Sequence, residues 1–433
     1  MKQNKEIRAI DKRQLEQIFS DQQEELQDKR SKYFCTRKET NLIDLSSPQA
    51  QVVIGVRRSG KSTMCFQALE KAGVTYAYAN FDDEHLIGMS SDQLNDVLEV
   101  LYKIYGNFSY LFLDEIQDIE GWHLFVNRLL RKNIHIIITG SNANLLSSEL
   151  ATYLTGRNKE INLYPFSFSE YCELKKVDQV SISTKAEAFR RAVFDDYLKG
   201  GGFPEKFAMA DSSSYVSGLV KNILVRDIEQ RHGITWTDAF ERMANHLLNI
   251  SPAIVNIPDL AELFGFKSNA TIRNYIKYLK DSFVLIEVQK FSPKSRQRVT
   301  QEKVYAVDVA MMDERENAFA GENLGWRLET IVLIELKRRC KLSGLDVYYL
   351  ADRSYECDFV LCKGNVIQQA IQVAYDISSD KTRKREINGL LAAAKKSGCK
   401  DLLLLTDHHF EDLKIGDLDI RIRPVYNWCI GIE

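Results

Sequence analysis

A glycine-rich segment near residue 60 contains the residue types that bind phosphate. The segment, GVRRSGKST, matches the pattern G-x-x-x-x-G-K-[ST] at every fixed position. Glycines let the backbone curl until successive N–H groups point at phosphate oxygens. Lys61 would supply positive charge to the β- and γ-phosphates of a nucleotide, and the Ser62 hydroxyl would bind Mg²⁺. The residues predicted to contact the nucleotide are Gly55, Val56, Arg57, Arg58, Ser59, Gly60, Lys61, Ser62 and Thr63.

Two adjacent carboxylates end a short apolar run in the segment YLFLDE. Asp114 would hold Mg²⁺, partly through water, and Glu115 would orient or deprotonate an attacking water molecule. A strand that ends in Asp-Glu is common, and such an end is usually just solvated. Here it follows a complete phosphate-binding loop with one βα unit in between, so we favour the catalytic interpretation.

Two polar residues follow the next apolar run, IHIIIT. Either Ser141 or Asn142 would contact the γ-phosphate or the attacking water. The alternative is an N-cap for a helix over Asn144–Leu150.

Three arginines are candidates for neutralising phosphate charge. Arg157 would reach the γ-phosphate, either within the chain or from a neighbouring subunit, where negative charge develops during hydrolysis. The alternative for Arg157 is an ordinary structural ion pair. Arg57 and Arg58 either help to bind phosphate or face solvent.

The elements that must position these residues alternate between strands and helices. Apolar segments predict strands at Gln51–Gly55, Val74–Asn80, Tyr110–Leu113, Ile134–Thr139 and Glu160–Tyr164. Helical patterns separate the first four strands, which predicts a parallel sheet with helices on both faces. The phosphate-binding segment then opens a helix, whose partially positive N-terminus favours an anion at the same place.

Composition limits the classes of protein to which the chain can belong. It has 433 residues, of which 45% are hydrophobic and 27% are charged. These proportions exclude a wholly disordered or fibrous chain, and the length suggests about three domains. The net charge of −2 argues against a surface devoted entirely to polyanions.

The sequence also predicts the cellular setting. The eight cysteines are scattered without a C-x-x-C pair, so a structural zinc is not expected. The N-terminal segment lacks an apolar signal region, and no apolar stretch approaches the roughly 18 residues of a membrane span. We therefore expect a cytoplasmic protein that has no membrane partner.

Several segments together resemble the prokaryotic AAA-type ATPases that carry a C-terminal domain of unknown function. These segments are GVRRSGKST, YLFLDEIQ, IITGSNANLL, LTGR followed by LYPFSFSEY, and GGFPE. The likeness covers most of the chain from about residue 35. It implies an α/β P-loop core with Walker motifs, a helical middle, a winged helix and a restriction-endonuclease-like end. It also implies that the chain binds and hydrolyses ATP, and the motif residues add Mg²⁺ as a ligand. ATPases of this type often complete their sites between subunits, so a homo-oligomer and a monomer both stay open.

The resemblance and the pattern of elements together predict five segments. They are an N-terminal helical extension over 1–40, a P-loop ATPase core over 41–165, a helical region over 166–235, a winged helix-turn-helix over 236–315 and an endonuclease-like α/β domain over 316–433.

The endonuclease-like end has an incomplete set of catalytic residues. Such a site needs a helix Glu, a strand Asp and an E-x-K on the next strand around one metal ion. Glu329, with Glu335 as an alternative, and Asp358 supply the first two. Gln372 stands in place of the second acid, and Ala374 stands in place of the lysine. We therefore expect no DNA cleavage, although a migrated lysine such as Lys381 could restore it.

The winged-helix segment is strongly basic. Lys267–Lys303 contains nine Lys and Arg against three Asp and Glu, a net charge of +6 that leaves −8 on the rest of the chain. Basic side chains on a helix and a hairpin loop are typical of duplex DNA binding. The alternatives are a solvated surface or a protein-docking module. The candidate DNA contacts are Arg273, Lys277 and Lys280 on the helix and Lys294, Arg296 and Arg298 in the loop.

Three functions are consistent with these features. The favoured one is a Mg²⁺-dependent ATPase whose nucleotide state controls attached DNA- or protein-binding domains. The second is a non-catalytic adaptor in which ATP is a structural ligand. The third, an ATP-regulated nuclease, depends on the incomplete C-terminal site and ranks last.

Overall fold

The N-terminal part of the chain folds around a five-stranded parallel sheet. Core residues pack on both faces of this sheet, as in other parallel sheets, which are covered on both sides. The observed arrangement confirms the predicted α/β fold. The strands, in the spatial order β2-β3-β4-β1-β5, are β1 (Ala50–Ile54), β2 (Tyr76–Asn80), β3 (Tyr110–Asp114), β4 (His135–Gly140) and β5 (Asn158–Asn162). The helices are α1 (Lys12–Arg30), α2 (Lys61–Ala72), α3 (Leu94–Tyr105) and α4 (Trp122–Leu130).

The computed structural model describes residues 8–30, 35–142, 154, 156–209, 211–212, 214–292, 302–312, 323–352 and 355–432. It divides into two compact units. The first contains Met1–Tyr164, Gln230–Gly233 and Asp281–Phe283, and the second contains Pro165–Glu229, Ile234–Lys280 and Val284–Glu433. The finer division into five segments stays a prediction. Among the helices of the described residues, none has the length and apolar character needed to cross a membrane.

Helix α1 packs into the core of the first unit. Leu15 and Phe19 are fully buried there. The Gln22 amide donates a hydrogen bond to the carbonyl oxygen of Asn80 at 3.0 Å and accepts one from its N–H at 2.9 Å. These two bonds attach the helix to the end of β2.

The second unit contains a mixed sheet of nine strands. Its order is β13-β14-β12-β11-β10-β9-β7-β8-β6. The strands are β6 (Ala253–Ile254), β7 (Leu285–Lys290), β8 (Glu302–Ala306), β9 (Asp346–Ala351), β10 (Glu356–Lys363), β11 (Val366–Ala374), β12 (Leu402–Thr406), β13 (Glu411–Ile415) and β14 (Leu418–Pro424).

The helices of the second unit lie before, between and after the strands of this sheet in the chain. They are α5 (Phe168–Leu174), α6 (Thr184–Gly200), α7 (Tyr215–Asn222), α8 (Thr237–Asn249), α9 (Ile257–Phe264), α10 (Asn269–Asp281), α11 (Leu324–Ser343), α12 (Asp380–Ser397) and α13 (Val425–Ile430). A π-helical segment, Ile223–Gln230, follows α7 directly.

A parallel pairing joins the β7–β8 hairpin to the C-terminal strands. Gln289 of β7 lies opposite Tyr348 of β9, and Lys290 lies opposite Tyr349. The strands predicted for a winged helix and those predicted for an endonuclease-like domain therefore form one continuous sheet.

The GGFPE segment makes a close backbone contact inside the second unit. Phe166 N–H donates a hydrogen bond to Gly202 O at 2.7 Å, and Gly202 N–H donates one to Asp308 Oδ2 at 2.9 Å. A Cβ on Gly202 would lie 2.3 Å from Phe166 O, too close for any contact between these atoms. Glycine at this position is therefore a packing requirement.

Gly202→Ala should lower the free energy of unfolding of the second unit by about 1–3 kcal/mol, because the new methyl group overpacks a backbone contact. Gly218→Ala is the matched control, since a Cβ there meets no atom within 4 Å. Gly218 lies in α7, so this control should be neutral or slightly stabilising. Urea unfolding of both variants measures the difference, and equal stabilities would contradict the packing account.

Candidate nucleotide-binding site

The phosphate-binding loop connects β1 to α2, and its glycines meet strict steric requirements. A Cβ on Gly55 would lie 2.0 Å from the carbonyl oxygen of Leu163. Gly60, immediately before α2, has a φ of 92°, a conformation that favours glycine. Val56 and Ser59 are fully buried. The loop therefore closes tightly over the end of β1, and the free N–H groups of the first turn of α2 border it.

Lys61, the first residue of α2, lies inside the loop and is only 5% exposed. Its ammonium donates hydrogen bonds to the carbonyl oxygens of Gly55 at 3.1 Å and Val56 at 3.2 Å. It also lies 3.8 Å from Oε1 of Glu115. Thr63, two residues further along α2, is exposed. Lys61 is thus placed between the loop backbone and the candidate catalytic carboxylate.

Asp114 is the last residue of β3 and is buried by its neighbours. Its carboxylate accepts hydrogen bonds from the Tyr78 hydroxyl at 3.2 Å and from the hydroxyls of Thr139 and Ser62. Burial and the adjacent Glu115 charge raise the pKa of Asp114, while the hydroxyls of Thr139 and Ser62 oppose the rise. Asp114 and Ser62, both predicted to bind Mg²⁺, therefore lie in direct contact.

Glu115 has a left-handed backbone conformation, with a φ of 51°. Its Oε2 accepts hydrogen bonds from the Ser141 N–H at 3.1 Å, the Ser141 hydroxyl at 3.2 Å and the Gln117 amide. Burial alone would raise the pKa of Glu115, but Lys61, Gln117 and the Ser141 N–H outweigh burial and lower it. The carboxylate is therefore ionised and fixed in orientation near neutral pH.

The parallel register brings the end of β4 to the loop. Gly140 lies opposite Ile54, so Ser141 and Asn142 follow β4 at the edge of the sheet where the loop begins. Asn142 is buried, and Ser141 contacts Glu115 directly. The predicted contact of either residue with a γ-phosphate stays a prediction, and the helix expected over 144–150 lies outside the described residues.

The three candidate arginines occupy different places. Arg57 pairs with Asp82 at 3.0 Å, and Arg58 is exposed with a φ of 66°. Arg157 is exposed and immediately precedes β5, where its carbonyl accepts a hydrogen bond from Ala50 N–H. This is the amino end of the sheet, about 16 Å along a five-residue strand from the loop. Arg157 is therefore not brought to the loop of its own subunit, and a role in a neighbouring subunit stays a prediction.

Sequence reasoning missed a buried arginine that braces the loop. Arg37 is 3% exposed and donates hydrogen bonds to Ser59 O at 2.7 Å and Tyr164 O at 2.6 Å. It also missed Tyr78 and Thr139, which contact Asp114 across neighbouring strands. The register of β2, β3 and β4 would have indicated the last two residues, but no local pattern marks Arg37.

The donors around the loop fit a nucleotide bound with Mg²⁺. Mg²⁺ prefers oxygen ligands, and the Ser62 hydroxyl and the Asp114 carboxylate lie side by side. Lys61 and the first turn of α2 provide the positive groups that phosphate requires. The arrangement can hold a cation and an anion close together next to an ionised carboxylate.

The predicted DNA contacts lie in the second unit. Arg273 and Lys277 are exposed on α10. Lys280 instead forms ion pairs with Glu287 and with Glu302, the second at 3.0 Å. Residues Lys294, Arg296 and Arg298 lie outside the described residues. Two of the six candidates are thus exposed in the described part of the chain.

The residues of the predicted incomplete nuclease site lie around one cavity. Glu329, Asp358, Gln372 and Lys381 all line it. Glu335 is not among the lining residues, and its carboxylate pairs with Arg339 at 2.9 Å. Whether the cavity has any catalytic activity stays a prediction.

Comparisons with known proteins agree with the geometry of the first unit. The model of the family described as AAA domain matches residues 47–172, and the model of a domain of unknown function (DUF8612) matches residues 191–318. The fold and the matched domain define the first unit as an AAA-type P-loop ATPase core.

Full-length relatives identify the family. An uncharacterized protein of Methanocaldococcus jannaschii is 32% identical over 406 residues and covers 90% of each chain. An uncharacterized protein of Haemophilus influenzae is 31% identical over 398 residues, covering 88% of this chain and 94% of its own. The chain belongs to the same family as these two proteins.

Solved structures of lower similarity include the Holliday junction branch migration motor RuvB of Thermotoga maritima. That protein is 15% identical, with a TM-score of 0.31, and covers 58% of this chain and 88% of its own. A similarity at this level adds nothing to the assignment made from the fold and the relatives.

Arg37→Ala should lower the free energy of unfolding of the first unit by about 2–4 kcal/mol, because the buried carbonyl of Ser59 and the partly buried carbonyl of Tyr164 lose a charged donor. Arg37→Lys should lose less, since one of the two bonds can be kept. Arg131→Ala, at an exposed position of the same unit, is the control. Thermal unfolding of the three variants tests whether the hydrogen bonds of Arg37 stabilise the loop. An unchanged melting temperature of Arg37→Ala would contradict this role.

Proposed function

We propose that this protein is a Mg²⁺-dependent ATPase. The observation that carries the proposal is the meeting of four side chains at the carboxyl ends of β1 and β3. The Ser62 hydroxyl contacts Asp114, and Lys61 lies 3.8 Å from Glu115. The AAA-type core supports ATP as the nucleotide.

Each side chain would act from the place that it has in the structure. Bound Mg²⁺ would neutralise phosphate charge and polarise the β- and γ-phosphate oxygens. Ser62 and Asp114 would hold the cation. Lys61 would exchange the carbonyl oxygens of Gly55 and Val56 for phosphate oxygens, so that little reorganisation of the loop is needed.

Glu115 would orient the attacking water and accept its proton. Its lowered pKa keeps it ionised at neutral pH, as a general base must be. Ser141 holds the carboxylate through two hydrogen bonds. When Lys61 turns to phosphate, Glu115 loses its ion pair but keeps the orientation that Ser141 imposes.

A neighbouring copy of the chain would supply Arg157 to complete the site. The exposed position of Arg157 at the amino end of β5 supports a role between subunits rather than within one. Such an arrangement would couple hydrolysis to assembly of a homo-oligomer.

The second candidate is a non-catalytic adaptor in which ATP is only a structural ligand. A fixed and ionised Glu115 favours hydrolysis, because a purely structural site needs no oriented base. The two candidates differ in turnover, since an adaptor would bind ATP without releasing phosphate.

Glu115→Gln should bind ATP with near-normal affinity but release phosphate at least about 100-fold more slowly, because the amide cannot accept a proton. Lys61→Ala should lose ATP binding as well, because the buried charge that faces phosphate is removed. Calorimetric titration with ATP and a steady-state phosphate assay separate these effects.

Glu84→Gln, which changes an exposed carboxylate of the same unit, is the matched control and should behave as wild type. Normal ATP turnover by Glu115→Gln would show that Glu115 is not the general base. Absent turnover by the wild-type protein, with ATP still bound, would support the adaptor instead.

We further propose that α8 to β8 form a winged helix that contacts duplex DNA through α10. The element order α8-β6-α9-α10-β7-β8, with β6 and β7 both paired to β8, supports this fold. Arg273 and Lys277 are exposed one turn apart on α10, a spacing suited to phosphate contacts. The nucleotide state of the first unit would then control binding by this helix.

Arg273→Ala combined with Lys277→Ala should weaken duplex binding and reduce the slope of log affinity against log salt by about 1.8, because two phosphate contacts are lost. Lys363→Ala combined with Lys414→Ala removes the same charge from exposed strand positions of the same unit. Fluorescence anisotropy with a labelled duplex at several salt concentrations measures the affinity and the salt slope of both double variants. An unchanged slope in the α10 variant would argue for a protein-docking role of this helix.

A further inference from the structure

A short 3₁₀ turn, Ile116–Asp118, follows Glu115 directly. Ile116 and Ile119 are buried in the core of the first unit, and Ile119 N–H donates a hydrogen bond to Ile116 O at 3.0 Å. These contacts anchor one side of the turn. The other side faces outward, since Asp118 is exposed. The position of the side chains on this outer side therefore depends on what they contact.

Gln117 contacts the candidate catalytic carboxylate from this turn. Its amide nitrogen donates a hydrogen bond to Oε2 of Glu115, the same oxygen that accepts both hydrogen bonds from Ser141. Turning the amide over would place its oxygen against the carboxylate, so the amide must keep this orientation. Three donors at Oε2 leave Oε1 of Glu115, which lies 3.8 Å from the Lys61 ammonium, as the oxygen that can face a water molecule.

The far end of the Gln117 amide does not help to hold the side chain. Its Oε1 is buried and accepts no hydrogen bond from the described residues. A buried acceptor without a donor costs free energy, so this oxygen gives the side chain no reason to stay where it is. The conformation of the turn therefore decides whether Gln117 reaches Glu115.

Arg231 contacts the outer side of the turn from a distant part of the chain. Its guanidinium lies 3.0 Å from Oδ1 of Asp118, and the two side chains are 30% and 37% exposed. Asp118 is next to Gln117 in the chain, so the ion pair restrains the backbone that carries the amide. A pair with this exposure contributes little to folding stability. It can still affect the reaction rate, because a small misplacement of a catalytic group slows the chemical step steeply.

The chain around Arg231 forms a tight turn. Arg231 directly follows the π-helical segment Ile223–Gln230, a kind of helix that is frequent at functional sites. Ile234 N–H donates a hydrogen bond to Glu229 O at 3.0 Å, which closes the turn. Gln230–Gly233 belong to the first unit, although the residues on either side of them belong to the second. The chain thus enters the first unit for four residues, one of which is Arg231.

We propose that Arg231 is a positioning residue for ATP hydrolysis, acting through Asp118 and Gln117 to keep Glu115 aimed at the attacking water. This inference rests on the function proposed for the site and adds a residue to it. The pair with Asp118 lies beyond Glu115 and outside the phosphate-binding loop, so it should affect the chemical step and not nucleotide binding. Loss of the pair should therefore lower kcat and leave KM unchanged.

The test is steady-state phosphate release by the full-length protein in Mg²⁺, together with calorimetric titration of ATP and thermal unfolding. Arg231→Ala should lower kcat about five- to tenfold, because the carboxylate is less well aimed. Its KM and ATP affinity should stay within about twofold of wild type, and its melting temperature within about 3 °C. Arg231→Lys should recover kcat to within about threefold of wild type, as should Asp118→Arg combined with Arg231→Asp, which exchanges the two charges.

A double-mutant cycle shows whether Arg231 acts through Gln117. Gln117→Ala should lower kcat at least as much as Arg231→Ala. The two changes together should lower it by no more than about twofold beyond Gln117→Ala alone, because both remove the same contact with Glu115. Lys103→Ala is the matched control and should behave as wild type, since it breaks an exposed ion pair with Glu16 in the same unit.

Normal turnover by Arg231→Ala beside an active wild type, or losses that multiply in the cycle, would overturn this inference alone. A loss that neither rescuing variant recovers, or that comes with an equal change in KM, would do the same. Absent turnover by the wild-type protein would contradict the proposed function and this inference together.

Discussion

The parallel register of β1, β3 and β4 is the constraint on which the nucleotide site depends. The register sets Ile54 opposite Gly140 and Leu113 opposite Ile138, so three strands end at the same edge of the sheet. The loop, the Asp114–Glu115 pair and Ser141 follow these ends directly. A shift of one residue in β3 would turn the Asp114 side chain to the other face and separate it from Ser62.

Features that depend on local spacing were accessible from the sequence. Apolar segments predicted the five strands of the first sheet, with β5 starting two residues earlier than expected. The positions of Lys61, Ser62, Asp114 and Glu115 follow from short motifs, because each motif sits at a strand end whose place in a parallel sheet is fixed. Such signals are strong because few arrangements of strands and helices can satisfy them.

Contacts between distant segments were not accessible in the same way. Arg37 reaches the loop from a segment before β1, and Lys303 lies among carboxylates of α11 and β10 although it belongs to the basic segment expected to meet DNA. Composition alone does not distinguish Arg37 and Lys303 from the other cationic residues of the chain. Burial and partners decide what a charge does, and these depend on the pairing of β7 with β9, which no local pattern predicts.

The central claim is that the Ser62–Asp114 and Lys61–Glu115 contacts form a hydrolytic site that needs Mg²⁺. The most direct test is steady-state phosphate release from ATP by the wild-type protein in excess Mg²⁺ and in EDTA. We predict turnover in Mg²⁺ and loss of at least about 99% of it in EDTA, because Ser62 and Asp114 act through the cation. Equal phosphate release under both conditions, or none with ATP bound in Mg²⁺, would contradict the claim.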